Sequence, residues 1–288
     1  MHPALRSLHL FVLSLIVFAF LAACAPVPNP SSSVAPPTEP APQPAQPPVP
    51  QELNVFAAAS LTESFTEMGE QFEATHPGVM IILNFAGSQQ LRAQLEQGAR
   101  ADVFASANTK EMNAAIASSI IISGTQRTFA RNRLVVIFPR DNPGKVETLA
   151  DLAKLGLKLI VADKAVPVGQ YTLGMLDKMG KNPAYGADFP NKVLENVVSR
   201  ENDVKAVVAK VRLDEADAGV VYSTDVTPAA AQDVTALVIP DEFNQIATYP
   251  IATLVNAPQP DLAREFIDFV LSDAGQELLG SYGFIVDR

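Results

Sequence analysis

The sequence predicts an α/β fold in which mostly parallel strands are covered by helices on both faces. Three observations predict it. Short β-rich runs alternate with stretches of helical period, the pattern of successive βαβ units. The junctions between them repeatedly carry Ser, Gly or Asp ahead of the helix. Beyond a Pro-rich stretch that ends at Gln51, roughly 240 residues remain, enough for one large domain or two small lobes.

Taken in order, 53–58 reads as a strand, 62–74 as a helix, 79–85 as a strand, 89–97 as a helix, 102–105 as a strand and 109–117 as a helix. A strong strand at 133–138 leads into a second series, after which Asp141-Asn142-Pro143-Gly144 is a turn. Strands follow at 157–162, 193–198, 218–222, 237–239 and 249–255, with helices at 170–179 and 204–211. Helical period closes the chain at 260–271 and 274–279. No internal sequence repeat is visible, and the doubled αβ pattern is compatible with two lobes.

The front of the chain is an address. Arg6 is the only fixed charge ahead of the apolar run 10–20, which exits through Leu21-Ala22-Ala23-Cys24. A basic start, a short apolar stretch and small exit residues make a secretory leader over 1–23; the run is short for a membrane span. Leu-Ala-Ala-Cys resembles the bacterial lipobox, which implies lipid on Cys24; an ordinary leader with an incidental cysteine is the alternative. Cys24 is the chain's one cysteine, so the folded part has no internal disulfide. From 24 to 51 the chain is dense in Pro, Ala and Ser with Glu39 as its one charge. Such a stretch has too little apolar side chain to bury and favours extended polyproline conformations, as a tether does; a recognition ligand for another domain is the other option.

Composition excludes several functions. The formal net charge is −10, which argues against nucleic-acid binding, a process driven by neutralising phosphates. It does not exclude a small anion, because neutral dipoles can hold one. Of the three histidines, His2 and His9 fall in the leader, leaving His76 before Pro77-Gly78. That rules out a multi-histidine metal or catalytic centre, and His76 reads as a surface residue. The chain has no Trp, which weakens a sugar-binding reading.

Four junctions could hold an anion. In Ala57-Ala58-Ala59-Ser60-Leu61-Thr62-Glu63, Ser60 and Glu63 have capping-box spacing. Ser88 opens a helix in Phe85-Ala86-Gly87-Ser88-Gln89-Gln90, and Val166-Pro167-Val168-Gly169-Gln170 precedes another. Asp203 is placed to cap the helix after Ser199-Arg200-Glu201-Asn202. Each junction presents unpaired N–H groups and the positive end of a helix dipole, and in open α/β sheets such junctions gather at the carboxyl ends of strands. Simple capping accounts for any one of them; from pattern alone the ligand is an anion or another small polar molecule.

Several motifs in order resemble the periplasmic molybdate-binding proteins. They are Phe56-Ala57-Ala58-Ala59-Ser60-Leu61, Gly87-Ser88-Gln89-Gln90-Leu91, the segment 101–107, the segment 165–171, Glu201-Asn202-Asp203-Val204-Lys205, and the segment 217–223. The resemblance runs from about Leu53 to Arg288. It implies a two-lobed periplasmic-binding-protein fold of type II, with 52–132 plus 248–288 as lobe I, 133–247 as lobe II, and ligand in the cleft between. It also implies an oxyanion, molybdate or tungstate, held by Ser60 and Ser88 through hydroxyl and N–H, Val168 and Val204 through N–H, and the Tyr222 phenol. Relatives often carry Ala where Val168 stands. Some relatives place carboxylates on the metal; none of these five positions is acidic. The implied partners are an ABC permease and its ATPase, with a monomeric binding protein that catalyses no reaction and carries no cofactor. Rival readings are a binding protein for sulfate, phosphate or ferric iron, a serine hydrolase, and a ligand-free structural lipoprotein. Tyr222 lacks the tyrosine neighbour common in ferric sites, and no Gly-x-Ser-x-Gly elbow is present for a hydrolase.

Overall fold

A computed structural model describes residues 50–286. The expected leader, the lipobox cysteine Cys24 and nearly all of the tether lie outside the described residues. Among those described, no helix is long and apolar enough to cross a membrane.

The chain first lays down β1 (Gln51–Ala58), α1 (Thr62–Thr75), β2 (Val79–Ala86), α2 (Ser88–Glu96), β3 (Val103–Ala105), α3 (Thr109–Ala117) and β4 (Arg127–Asn132). Arg133 alone separates β4 from β5 (Leu134–Pro139), which opens the second series. That series runs through β6 (Leu159–Ala162), α4 (Pro167–Lys181), α5 (Phe189–Glu195), β7 (Val197–Glu201), α6 (Val204–Arg212), β8 (Ala218–Tyr222) and β9 (Val234–Val238). The chain then returns through β10 (Ala247–Thr253) and ends in α7 (Pro260–Leu271) and α8 (Asp273–Ser281).

Two five-stranded sheets result, in the orders β2-β1-β3-β10-β4 and β7-β6-β8-β5-β9. In the first, β1 is parallel to β2 and β3, while β10 is antiparallel to β3 and β4. In the second, β6 is parallel to β7 and β8, while β5 is antiparallel to β8 and β9. Each sheet is therefore mixed rather than wholly parallel, and its one reversed strand is the strand by which the chain arrives from the other sheet.

The sequence explains why these strands sit inside. β5, β6 and β8 are apolar throughout and every residue in them is buried, as expected for strands covered by helices on both faces. The helices cover them with single stripes. In α7, Leu262, Ala263, Phe266, Ile267 and Val270 are buried, the spacing of one helix face. Phe266 meets Phe65 and Phe72 edge-on, at ring-centre separations of 6.1 and 5.4 Å. Truncating such a ring to Ala costs about 3–5 kcal/mol.

The structure departs from expectation in three places. The segment 193–198 is not one strand: Val193, Leu194 and Glu195 finish α5, and β7 begins at Val197. The β-branched valines gave a strand signal, but Pro190 at the helix start and the packing of Phe189 and Val193 favour a short helix. β4 was not expected, because only part of its sequence is apolar; pairing with β10 makes it a strand. α4 starts at Pro167, three residues earlier than expected, with proline in the first turn, where the missing N–H costs nothing. His76 ends α1 with its ring stacked on Phe72 at 3.8 Å and its side chain 31% exposed, in keeping with its surface reading.

Candidate functional site

The carboxyl ends of β1, β2 and β3 in one sheet and of β6, β7 and β8 in the other open on a single cavity. Ala58, Ala59, Ser60, Gly87, Ser88, Ala107, Val166, Pro167, Val168, Asp203, Val204 and Tyr222 line it. It is small, about 10 Å³ in volume. All five residues expected from the sequence, Ser60, Ser88, Val168, Val204 and Tyr222, lie on this one wall. They come from five separate strand ends, and every one is buried.

The backbone supplies donors first. Ser60 lies in a single 3-10 turn, Ala59–Leu61, that runs directly into α1. Ser88, Val168 and Val204 occupy the first turns of α2, α4 and α6. First-turn N–H groups have no acceptor within their own helix, and the helix dipoles add partial positive charge at the same points. Asp203 caps α6 as expected: its Oδ1 accepts from the Ala206 N–H at 2.9 Å.

Ser60 behaves differently from the expected cap. No side-chain cap bond forms at the start of α1; instead the Ser60 hydroxyl lies 2.9 Å from the phenol of Tyr249. Glu63, expected as the other half of the box, accepts from Lys205 Nζ at 2.7 and 2.8 Å. The Ser88 hydroxyl accepts from the Ala107 N–H at 3.0 Å. One of its lone pairs is thereby occupied and its proton is free for the cavity. The Tyr222 hydroxyl is buried and has no hydrogen-bond partner among the described residues. Burial, then the neighbouring Tyr249 and Tyr171, push that phenol well above the usual tyrosine range, so it stays a proton donor.

Neither Lys nor Arg lines the cavity. Lys205, one residue into α6, faces away from it to Glu63 and to the buried Asp225, 3.3 Å distant. Burial raises the Asp225 carboxyl to about 6 against the pull of Lys205 and the Tyr222 N–H. Glu201 does not reach the cavity; it accepts from Lys210 at 2.7 Å and Ser199 at 2.5 Å. Among the described residues no group of three or more His, Cys, Asp or Glu could hold a metal ion.

The two sheets are joined across the cavity. Gln89 Nε2 donates to the Asn202 carbonyl at 2.9 Å, and Asn108 Nδ2 to Gln170 Oε1 at 3.2 Å. Gly87 is required by this approach, since a Cβ there would stand 2.5 Å from the Asn202 carbonyl oxygen. Sequence reasoning missed Ala107 and Tyr249 as parts of the site. Ala107 lies inside one of the motifs quoted above, so its signal was present. Tyr249 had none, because its link to Ser60 spans 189 residues.

Comparison with known proteins agrees with this architecture. The family model described as "Bacterial extracellular solute-binding protein" matches residues 53–285. The molybdate-binding protein ModA of Mycobacterium tuberculosis is 38% identical over 273 residues, covering 95% of each chain. Its Escherichia coli K12 counterpart is 31% identical over 241 residues, 82% of this chain and 89% of that one. The solved structure of the Azotobacter vinelandii periplasmic molybdate-binding protein superposes with a TM-score of 0.71 at 20% identity, over 82% of this chain and 100% of that one, which bears on the fold. With a family model spanning both sheets and full-length relatives of this similarity, the chain belongs to the bacterial extracellular solute-binding proteins, in the group formed by the molybdate-binding proteins.

Proposed function

We propose that this protein captures molybdate, with tungstate as a second cargo, outside the cytoplasm and delivers it to the permease and ATPase of an ABC transporter. The observation that carries the reading is a buried cavity walled by first-turn N–H groups and hydroxyls, with no basic side chain in it. A dianion in such a place is costly unless its oxygens are hydrogen-bonded. Ser60 and Ser88 supply hydroxyl and N–H, Val168 and Val204 supply N–H, and Tyr222 supplies its phenol. These contacts all donate, so they disfavour an anion that still carries a proton, which would need an acceptor. Size separates molybdate and tungstate from the smaller sulfate. Coordination stays tetrahedral: Asp203 is the one carboxylate in the wall, and its Oδ1 is engaged in capping α6.

In this reading 52–132 with 248–288 and 133–247 are hinged lobes that close on the ligand. The protein is a monomer that binds and releases without catalysing a reaction. Leader 1–23 directs export, lipid on Cys24 holds the chain at the outer face of the cytoplasmic membrane or in the periplasm, and 24–51 is the tether.

Calorimetric titration of the full chain with molybdate, tungstate, sulfate and phosphate tests it. Tight binding of molybdate and tungstate alone is expected, and Ser60→Ala or Ser88→Ala should each weaken it by about 1–3 kcal/mol, the cost of a lost hydrogen bond to a charged group. Preference for sulfate or phosphate would change the cargo, and unaltered affinity in both variants would remove the two serines from the site.

A further inference from the structure

We infer that Asn132 and Tyr249 form a positioning relay that aims the Ser60 hydroxyl proton into the cavity. The inference rests on the oxyanion reading above and assigns specificity to two residues outside the cavity wall.

Asn132 is fully buried at the end of β4, beside the single residue that links the two sheets. Its Oδ1 accepts from the Arg133 backbone N–H at 2.9 Å and from the Ser223 hydroxyl at 3.0 Å. A backbone N–H can only donate, so the amide has one orientation and its NH₂ faces the other way. There it donates to the Thr224 hydroxyl at 2.8 Å and, over a longer 3.4 Å, to the Tyr249 phenol oxygen. Tyr249 thus accepts a hydrogen bond from Asn132, has the Ser60 hydroxyl at 2.9 Å as its other hydrogen-bond partner, and lies edge-on to the Tyr222 ring.

With an anion in the cavity, one polarity satisfies every group. Asn132 donates to Tyr249, Tyr249 donates to Ser60, and Ser60 donates to the ligand. The reverse order would turn a Ser60 lone pair toward the anion and leave the Tyr249 proton only the neighbouring Tyr222 phenol oxygen, with which no hydrogen bond is formed in the structure. Tyr249 is itself fully buried, packed edge-on against Phe129 and Phe284, so no solvent offers its proton another partner. Ser88 is set in the same sense by the Ala107 N–H. A serine hydroxyl that rotates freely can donate or accept and would admit a protonated oxyanion; one already accepting from Tyr249 has its proton left for the ligand and only one lone pair still open, which favours donation. Asn132 and Tyr249 are accordingly positioning residues that act through Ser60.

The test is a double-mutant cycle on the full chain, titrated with molybdate and then with hydrogen phosphate as competitor. Tyr249→Phe should weaken molybdate about five- to thirtyfold, yet less than about twofold when Ser60→Ala is already present, the non-additivity of residues acting through one another. Hydrogen phosphate should compete at least about fivefold better, relative to molybdate, in Tyr249→Phe than in the unaltered chain. Additive losses, or equal loss for both anions, would show that Tyr249 only packs and would overturn the relay. If Tyr249→Phe shows no cooperative unfolding transition, Asn132→Leu takes its place, with a loss of about two- to tenfold that again vanishes in the Ser60→Ala background; persistence of that loss overturns the relay. An unaltered chain that binds no oxyanion defeats the functional reading and the relay together, an outcome distinct from an additive cycle in a chain that binds molybdate.

Discussion

Tyr222→Phe sets the stability of the ligand-free protein against its affinity. The ring is held by its neighbours, edge-on to Tyr249 at 5.9 Å and to Tyr171 at 6.4 Å, and is 1% exposed. A phenylalanine fills the same space, so the substitution removes one hydroxyl and little else. That hydroxyl has no hydrogen-bond partner among the described residues, and a buried unpaired polar group costs about 1–3 kcal/mol. Its removal should therefore raise ligand-free stability by about 1–2 kcal/mol. The same change deletes the proposed charge-assisted bond to the oxyanion, about 1.5–3 kcal/mol, or a loss of roughly 10- to 150-fold in affinity. Urea denaturation of both ligand-free proteins measures the first effect and calorimetry with molybdate the second. A variant that is less stable and binds molybdate unchanged would refute the reasoning, because the phenol would then serve an internal network rather than the ligand.

Two further predictions concern Gly87 and Asp225. On the proposal that the lobes part without ligand, Gly87→Ala should leave ligand-free stability within about 0.5 kcal/mol, since φ at Gly87 is −58° and suits alanine, but it should weaken molybdate by about tenfold or more, because the closed arrangement described above brings the new Cβ onto the Asn202 carbonyl; titration beside thermal unfolding checks it. For Asp225, the folded carboxyl sits at about 6, above its unfolded value, because of burial. The folded state therefore holds the proton more tightly, so this group's contribution to stability is fully present below about pH 4 and is lost as pH rises through 6. Asp225→Asn should remove that dependence: the stability difference between the two proteins should change by about 2 kcal/mol between pH 7 and pH 4, in the direction that favours Asn at pH 7. A constant difference in denaturation midpoints across that range would contradict the assignment.

Much of the fold is legible because its elements announce themselves locally. α3, β8 and α7 begin and end where period and composition place them. α5 and β4 are hidden for opposite reasons. In 193–198 the β-branched residues Val193, Val197 and Val198 belong to two elements, and only Glu195 and Asn196 between them mark the break. In β4 the polar Arg127, Thr128, Arg131 and Asn132 obscure a strand whose identity depends on its partner β10. The cavity wall was legible through helix starts, whose unpaired N–H groups follow from backbone geometry. The state of the Ser60 hydroxyl was not, since capping spacing is a local property whereas the bond to Tyr249 exists only after β10 returns from the far sheet.

The strand orders of the two sheets have a consequence for the shape of the guest. β2-β1-β3 in one and β7-β6-β8 in the other are the same three-strand arrangement, each followed by a reversed strand. The cavity takes its wall from the corresponding ends of both: residues after β1, β2 and β3 on one side, and residues at the ends of β6, β7 and β8 on the other. No repeat is visible in the sequence, yet both sides of the cleft are built from topologically equivalent strand ends. A tetrahedron has twofold axes of its own and can present two equivalent oxygens to each half. The two sheets can then close on the proposed oxyanion as matching jaws, whereas a guest with unlike ends would satisfy one jaw at the expense of the other.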